Sequence, residues 1–237
     1  MLSSWSKAPK GQVGMKNVLA GLLGVLFSAL AFAQNAPTPP AQRQVQGHIL
    51  ISKELPAAQF TFLNDYRYMG GQVVSLYGNA EAEQHLFVRA ADAGPVQSFY
   101  WVQFEHFLPS NNMTYDYKAE RTIDIGGLPF IYDVKSFLDY AEMQGEDPRS
   151  DGAAISRLLA QHNVAFPRRA ARVRMFYLPT TDHRTELMII YGEALPEDSR
   201  IPVKPARDGG VRLDDAAPEA AKVILDRALQ GVTLRKQ

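Results

Sequence analysis

The chain has 237 residues, with 25 Lys plus Arg against 25 Asp plus Glu, 46% hydrophobic residues and no cysteine. This length and composition describe one globular domain with a sizeable core and argue against disorder. The lack of thiols excludes disulfide frameworks, thiolate zinc sites, cysteine-ligated iron–sulfur clusters and cysteine nucleophiles.

Met15, Lys16 and Asn17 precede an uncharged run from Val18 to Ala33 that ends Ala31, Phe32, Ala33. A positive start, an apolar stretch and small residues before the cut predict a secretory signal peptide over residues 1–33, with residues 1–14 an upstream extension if Met15 is the true start. The run of 16 residues is short against the roughly 20 that span a bilayer. Cleavage after Ala33 removes Lys7, Lys10 and Lys16 and no acid, leaving 25 − 3 = 22 basic against 25 acidic groups, a net charge of −3. That balance argues against nucleic acid as a partner. Export without cysteines fits a bacterial periplasm, with no stable membrane insertion once the signal is gone.

Residues 34–46 hold Pro37, Pro39 and Pro40 among Ala, Gln and Thr, which predicts a flexible leader. Residues 47–200 read as a single α+β domain, and residues 201–237 as a linker followed by a C-terminal helix. From Gly47 onward, short aromatic and β-branched segments broken by Gly, Pro and Asn predict strands at His48–Ser52, Tyr66–Tyr77, His85–Ala91, Ser98–Leu108 and Tyr115–Ile125. In the fourth of these both alternating faces are largely apolar, which predicts a central strand covered on both sides. In the fifth, Tyr115, Tyr117, Ala119, Arg121, Ile123 and Ile125 share one face, and Arg121 alone is charged there.

After Gly126 and Gly127 the spacing becomes helical. Asp133 is the expected cap of a helix with the stripe Val134, Phe137, Leu138 and Ala141, and Ser150 the cap of a second with Ile155, Leu158 and Leu159. Arg172–Leu178 and Glu186–Ala194 predict a long hairpin, and Pro218–Leu229 an amphipathic helix. The sum is a mostly antiparallel, curved sheet of about seven strands, packed by two inserted helices and a C-terminal helix. The expected sheet core comprises Tyr100, Val102, Phe104, Tyr115, Tyr117, Ile123, Leu187 and Ile189.

Chemistry is less legible. No two of the five histidines stand two to four residues apart, so no metal site is expected and no cofactor is implied. His106 and the preceding Glu105 are the candidate catalytic pair, although successive strand residues point to opposite faces. A guanidinium among tyrosines and isoleucines needs a carboxylate, a ring or an anionic ligand, so Arg121 with Tyr115, Tyr117 and His106 forms the candidate ligand site, and Glu105 or Glu193 the internal partner of Arg121. Arg168, Arg169, Arg172 and Arg174 are the candidate partner-binding patch, set against a solvated edge strand that uses charge to block pairing. The leading expectation is an exported, soluble, non-catalytic periplasmic protein that binds a protein partner or a small apolar or anionic ligand. The alternatives are an exported hydrolase using His106 with a carboxylate from another strand, and an envelope assembly factor.

Overall fold

Residues 41–118 and 121–237 are described by the computed structural model, so the expected signal peptide lies outside the described residues. The described part opens with three short strands, β1 (Gln44–Gln46), β2 (Ile49–Ser52) and β3 (Ala58–Phe62). The long strands β4 (Arg67–Leu76), β5 (Ala80–Arg89) and β7 (Ser98–Phe107) follow, with the short β6 (Gly94–Pro95) before the last. Next come β8 (Thr122–Ile125) and β9 (Leu128–Phe137), the helices α1 (Tyr140–Gly145) and α2 (Asp151–Ala160), and the short β10 (Val164–Ala165). The hairpin β11 (Ala170–Tyr177) and β12 (Thr185–Ala194) leads to β13 (Val211–Arg212), α3 (Leu213–Ala216), α4 (Pro218–Gln230) and β14 (Val232–Lys236).

Antiparallel pairing joins β13, β9, β11, β12, β7, β5 and β4 in that order, with β8 added on β9, into an eight-stranded sheet. A second sheet of four strands runs β1, β2, β3, β14. The mostly antiparallel α+β architecture is therefore as expected, whereas the single sheet of about seven strands is replaced by these two and a short parallel pair of β6 with β10, and none closes on itself.

Both faces of the large sheet are covered, and strand alternation decides which residue serves which face. On one face Phe87, Tyr100, Val102, Val173, Leu187 and Ile189 pack with Leu50, Phe60 and Phe62 of the small sheet and with Ile224 and Ala228 of α4. On the other, Leu86, Phe99, Trp101, Met188 and Ile190 pack against Tyr140 of α1 and Ile155, Leu158 and Leu159 of α2. The central, doubly covered place of β7 follows from its apolar character on both faces, and it lies between β12 and β5. Of the expected core, Tyr100, Val102, Phe104, Tyr115, Leu187 and Ile189 are buried, and Tyr117 and Ile123 partly so.

The helix stripe read from Val134 to Ala141 is corrected by the structure. Residues through Phe137 form β9, Asp133 is a strand residue opposite Arg174, and α1 begins only at Tyr140. Pairing with two neighbouring strands overrides a weak local helix signal. Ser150 does cap α2, its Oγ accepting the Ala153 N–H at 3.1 Å. Gly126 and Gly127, both at positive φ, make the two-residue turn of the β8–β9 hairpin. A Cβ on Gly126 would stand 2.2 Å from the Leu234 carbonyl oxygen, so the turn also needs glycine to pack against β14.

Both ends of the expected domain shift. The leader was expected to run to Gln46, yet Gln44–Gln46 pairs as β1 with β2. The stretch expected as a linker and C-terminal helix also joins the sheets, since Val211–Arg212 pairs with β9 and Val232–Lys236 with β3. Among the described residues no helix is long and apolar enough to cross a membrane.

Candidate functional site: an acid-rich cavity and a buried carboxyl pair

At the ends of β5, β7 and β12 a cavity of about 390 Å³ opens, bounded by the Gln42–Arg43 segment, by Glu54 and Leu55 between β2 and β3, and by the β11–β12 hairpin tip. Its apolar wall is Leu55, Val73 and Phe104. Four side-chain carboxylates line it on this face and at the hairpin tip, Glu54, Glu81, Glu83 and Asp182, against two guanidiniums, Arg43 and Arg184. Both cations are already engaged. Arg43 donates to Glu83 through its backbone N–H at 2.6 Å and through Nη1 at 2.7 Å, and to Ser52 Oγ at 3.0 Å. Arg184 donates to the carbonyls of Met113 and Leu108, both at 2.9 Å.

A buried chain stands behind Arg43. His85 Nε2 lies 2.9 Å from Glu83 Oε1, and Tyr68 Oη lies 3.1 Å from His85 Nδ1. Because a carboxylate only accepts, His85 Nε2 carries a proton and donates it to Glu83. Burial alone would raise the Glu83 pKa, but the hydrogen bond from His85, the backbone N–H of Arg43 and the guanidinium charge hold it down at about 2. Gly71 leaves the room for this arrangement, since a Cβ there would lie 2.7 to 2.8 Å from Tyr68 Oη, Ala41 Cβ and His85 Nδ1.

On the opposite face a polar row crosses the sheet. Gln72 donates to Gln84 at 2.9 Å, Gln84 to Gln103 at 2.9 Å, and Gln103 to Glu105 Oε2 at 2.6 Å. Glu105 Oε1 accepts the Tyr115 hydroxyl at 2.7 Å, and Glu186, its register partner on β12, accepts the Tyr117 hydroxyl. Burial pushes the Glu105 pKa up to about 7, and burial together with the charge of Glu105 pushes that of Glu186 up to about 8.

The sequence candidates fall into different places. His106 is exposed and lines the cavity, while the Glu105 carboxyl is turned to the other face, as strand alternation requires; the two do not form one acid–base pair. Tyr115 and Tyr117 precede β8 instead of lying within it, and they come together as stacked rings 6.2 Å apart over the carboxyl pair. Arg121 joins neither of them nor either expected partner. It is bound to Asp215 at 2.9 Å with Asp214 at 3.9 Å, whereas Glu193 is held by Tyr191 and Arg227.

The four arginines do not form one patch. Arg168 faces Glu142 at 3.8 Å in solvent, Arg169 faces Glu197 at 3.6 Å, and Arg174 is paired with Asp133 at 2.5 Å. Arg172 is buried with its guanidinium 4.8 Å above the Phe137 ring. The edge-strand reading fails with it, because β11 lies between β9 and β12.

Arg43, Glu83, His85, Arg184 and Glu186 escaped sequence reasoning. The alternation of β12 carried a signal for Glu186, an acid sharing a face with Met188 and Ile190. Arg43 and Glu83 are 40 residues apart, with no local pattern to join them. Among the described residues no group of three or more His, Asp or Glu is placed to hold a metal ion. Comparisons with family models, with curated proteins and with solved structures gave no match to this chain.

Proposed function

We propose that the protein is an exported, soluble, non-catalytic binding protein of the bacterial periplasm, and that its cavity takes a small organic cation. The observation that carries this reading is the cavity of about 390 Å³ in which Arg43 is paired with Glu83 and Arg184 is held by two carbonyls, leaving Glu54, Glu81 and Asp182 in excess. Its volume suits a small ligand, and Leu55, Val73 and Phe104 supply an apolar wall for the ligand's body. The acid excess argues against the anionic ligand expected from Arg121, which is engaged with Asp214 and Asp215. Export rests on the run from Val18 to Ala33 before the small-residue cut site.

Calorimetric titration at pH 7 and low salt with spermidine and with phenyltrimethylammonium tests the ligand class. Both cations should bind, Glu81→Gln should weaken them about fivefold, and glutarate should not bind. Binding of glutarate in preference to the cations would refute the reading. The N-terminal sequence of periplasmic material should begin at Gln34.

A second reading, a hydrolase, is favoured by one specific arrangement. Glu81 on β5 and Thr185 on β12 stand opposite His106 in register, and all three line the cavity. An acid, an imidazole and a hydroxyl in one row have the order of a nucleophilic triad, although no hydrogen bond joins them in this structure. Turnover of small esters that is lost in His106→Ala would favour this reading over binding alone.

A further inference from the structure

The carboxyl pair on the far face of the sheet is not used by the cavity chemistry. Glu105 and Glu186 are directly opposed on neighbouring strands, where Cβ atoms stand about 4.5 to 5.5 Å apart. Each accepts a hydroxyl from the same loop, residues 109–118, through Tyr115 and Tyr117. The rings form a continuous stack, with centroid separations of 4.5 Å from Phe107 to Tyr115, 6.2 Å from Tyr115 to Tyr117 and 4.4 Å from Tyr117 to Phe176. The loop is thus held down on the two carboxyls and on the aromatic rings at either end of the row.

Few cations face this pair. Arg174 of β11 approaches from one side, but it is bound to Asp133 of β9. Asp151 at the start of α2 adds a third carboxyl, itself shifted upward by burial, and Gln103 contributes only a neutral N–H. Two carboxyls so close in a buried setting do not both ionise easily, and the weaker acid keeps its proton. Burial raises both groups, Glu186 to about 8 and Glu105 to about 7, so near neutral pH the pair is not fully ionised.

The same loop is wired to the cavity. The Arg184 guanidinium, part of the cavity wall, donates to the carbonyls of Met113 and Leu108, and the Tyr115 N–H donates to the His183 carbonyl at 2.8 Å. Movement of residues 109–118 therefore takes the Met113 carbonyl away from Arg184 and leaves it the Leu108 carbonyl, at the foot of the loop.

We propose that loop 109–118 is a proton-controlled latch: the proton kept by the Glu105–Glu186 pair keeps Tyr115 and Tyr117 seated, and its loss lifts the loop and loosens Arg184 at the cavity wall. When both carboxyls ionise, each tyrosine bond becomes charge-assisted and stronger. These bonds, with the Gln103 N–H on Glu105, replace only part of the two carboxylates' hydration, however, and two like charges remain side by side, so water must enter. The loosened guanidinium, without its Met113 bond, then turns toward the cavity acids and competes with a bound cation. Cation release at alkaline pH rests on the proposed cavity function, whereas the latch itself does not.

Hydrogen exchange over residues 109–118, corrected for the chemical effect of pH, tests the latch in the ligand-free chain. Protection should fall at least tenfold between pH 6.5 and 9 in the wild type and by less than twofold in Glu186→Gln, which carries no second charge. Constant protection in the wild type, or a variant that follows the wild type, would overturn it. Should Glu186→Gln fail to fold, Glu105→Gln and a carbon-13 titration of the wild-type carboxyls decide. Two carboxyls titrating between pH 6 and 9 are expected, and none above pH 6 refutes the latch. For the coupling, the affinity of the permanently charged phenyltrimethylammonium should fall at least fivefold over the same range in the wild type and stay constant in Glu186→Gln. Constant affinity while the loop opens would overturn the coupling, and absence of binding at every pH would overturn the cavity reading while the exchange data decide the latch by themselves.

Discussion

Arg43 holds Glu83 with two hydrogen bonds, one from its backbone N–H and one from its guanidinium, across 40 residues of sequence. The same guanidinium lies 3.6 Å above the Phe104 ring. This one side chain fastens the start of the described chain to β5, to Ser52 of β2 and to the cavity wall. Replacing it by methionine leaves a buried carboxylate with only His85 as its side-chain donor. Loss of one partner of a buried pair costs about 3 to 5 kcal/mol, and Arg43→Met is expected at about 3 because His85 remains. Urea unfolding at pH 7 measures this, and the double variant Arg43→Met, Glu83→Gln should recover most of the loss.

The Phe104 ring is buried, 5.9 Å from that of Phe60 and 6.4 Å from that of His85, under the Arg43 guanidinium. Phe104→Ala removes a large core side chain at the junction of both sheets and should cost about 3 to 5 kcal/mol in chemical denaturation. A change below about 1 kcal/mol would contradict this packing.

Stability should vary with pH in two windows of opposite sign. Glu105 and Glu186 hold their protons in the folded chain up to about 7 and about 8, above the unfolded values, so the native state binds more protons between. Their contribution is therefore complete at low pH and is lost as pH rises from about 5 through about 8, at about 1.4 kcal/mol per pH unit for each differing proton. Glu83 acts the other way, and its contribution is lost as pH falls from about 4.5 to about 2. Melting temperatures from pH 3 to pH 9 should trace both flanks. Glu186→Gln should remove the part of the alkaline flank that Glu186 carries, leaving that of Glu105, and should leave the acidic one unchanged.

Arg121 is expected to matter little. Its bond to Asp215 is exposed at both ends, with 30% and 59% of the side chains accessible, and surface pairs of this kind contribute about 0 to 1 kcal/mol. Asp214, the more buried neighbour, keeps its hydrogen bond from the Val134 N–H without Arg121. Thermal unfolding of Arg121→Met should therefore fall within about 1 kcal/mol of the wild type. A cost of about 3 kcal/mol would point to Asp214 depending on Arg121.

Sequence by itself determined what depends on near neighbours. Runs of aromatic and β-branched residues between turn formers located β4, β7, β11 and β12 to within two residues and the second half of β5, because such residues suit a pleated, half-buried surface whatever lies beyond. The Ser150 cap, the Gly126–Gly127 turn and the apolar stripe of α4 were legible for the same local reason. Tertiary structure decided the rest. Asp133 lies on a strand because β11 pairs with β9 along its length, and Tyr115 and Tyr117 leave their apparent strand because Glu105 and Glu186 offer their hydroxyls acceptors. The cavity and the carboxyl pair could not be read from spacing, since Arg43 meets Glu83 and Glu105 meets Glu186 only after β5, β7 and β12 have aligned. Registers between distant strands are set by the burial of whole faces, and no short window of sequence contains that information.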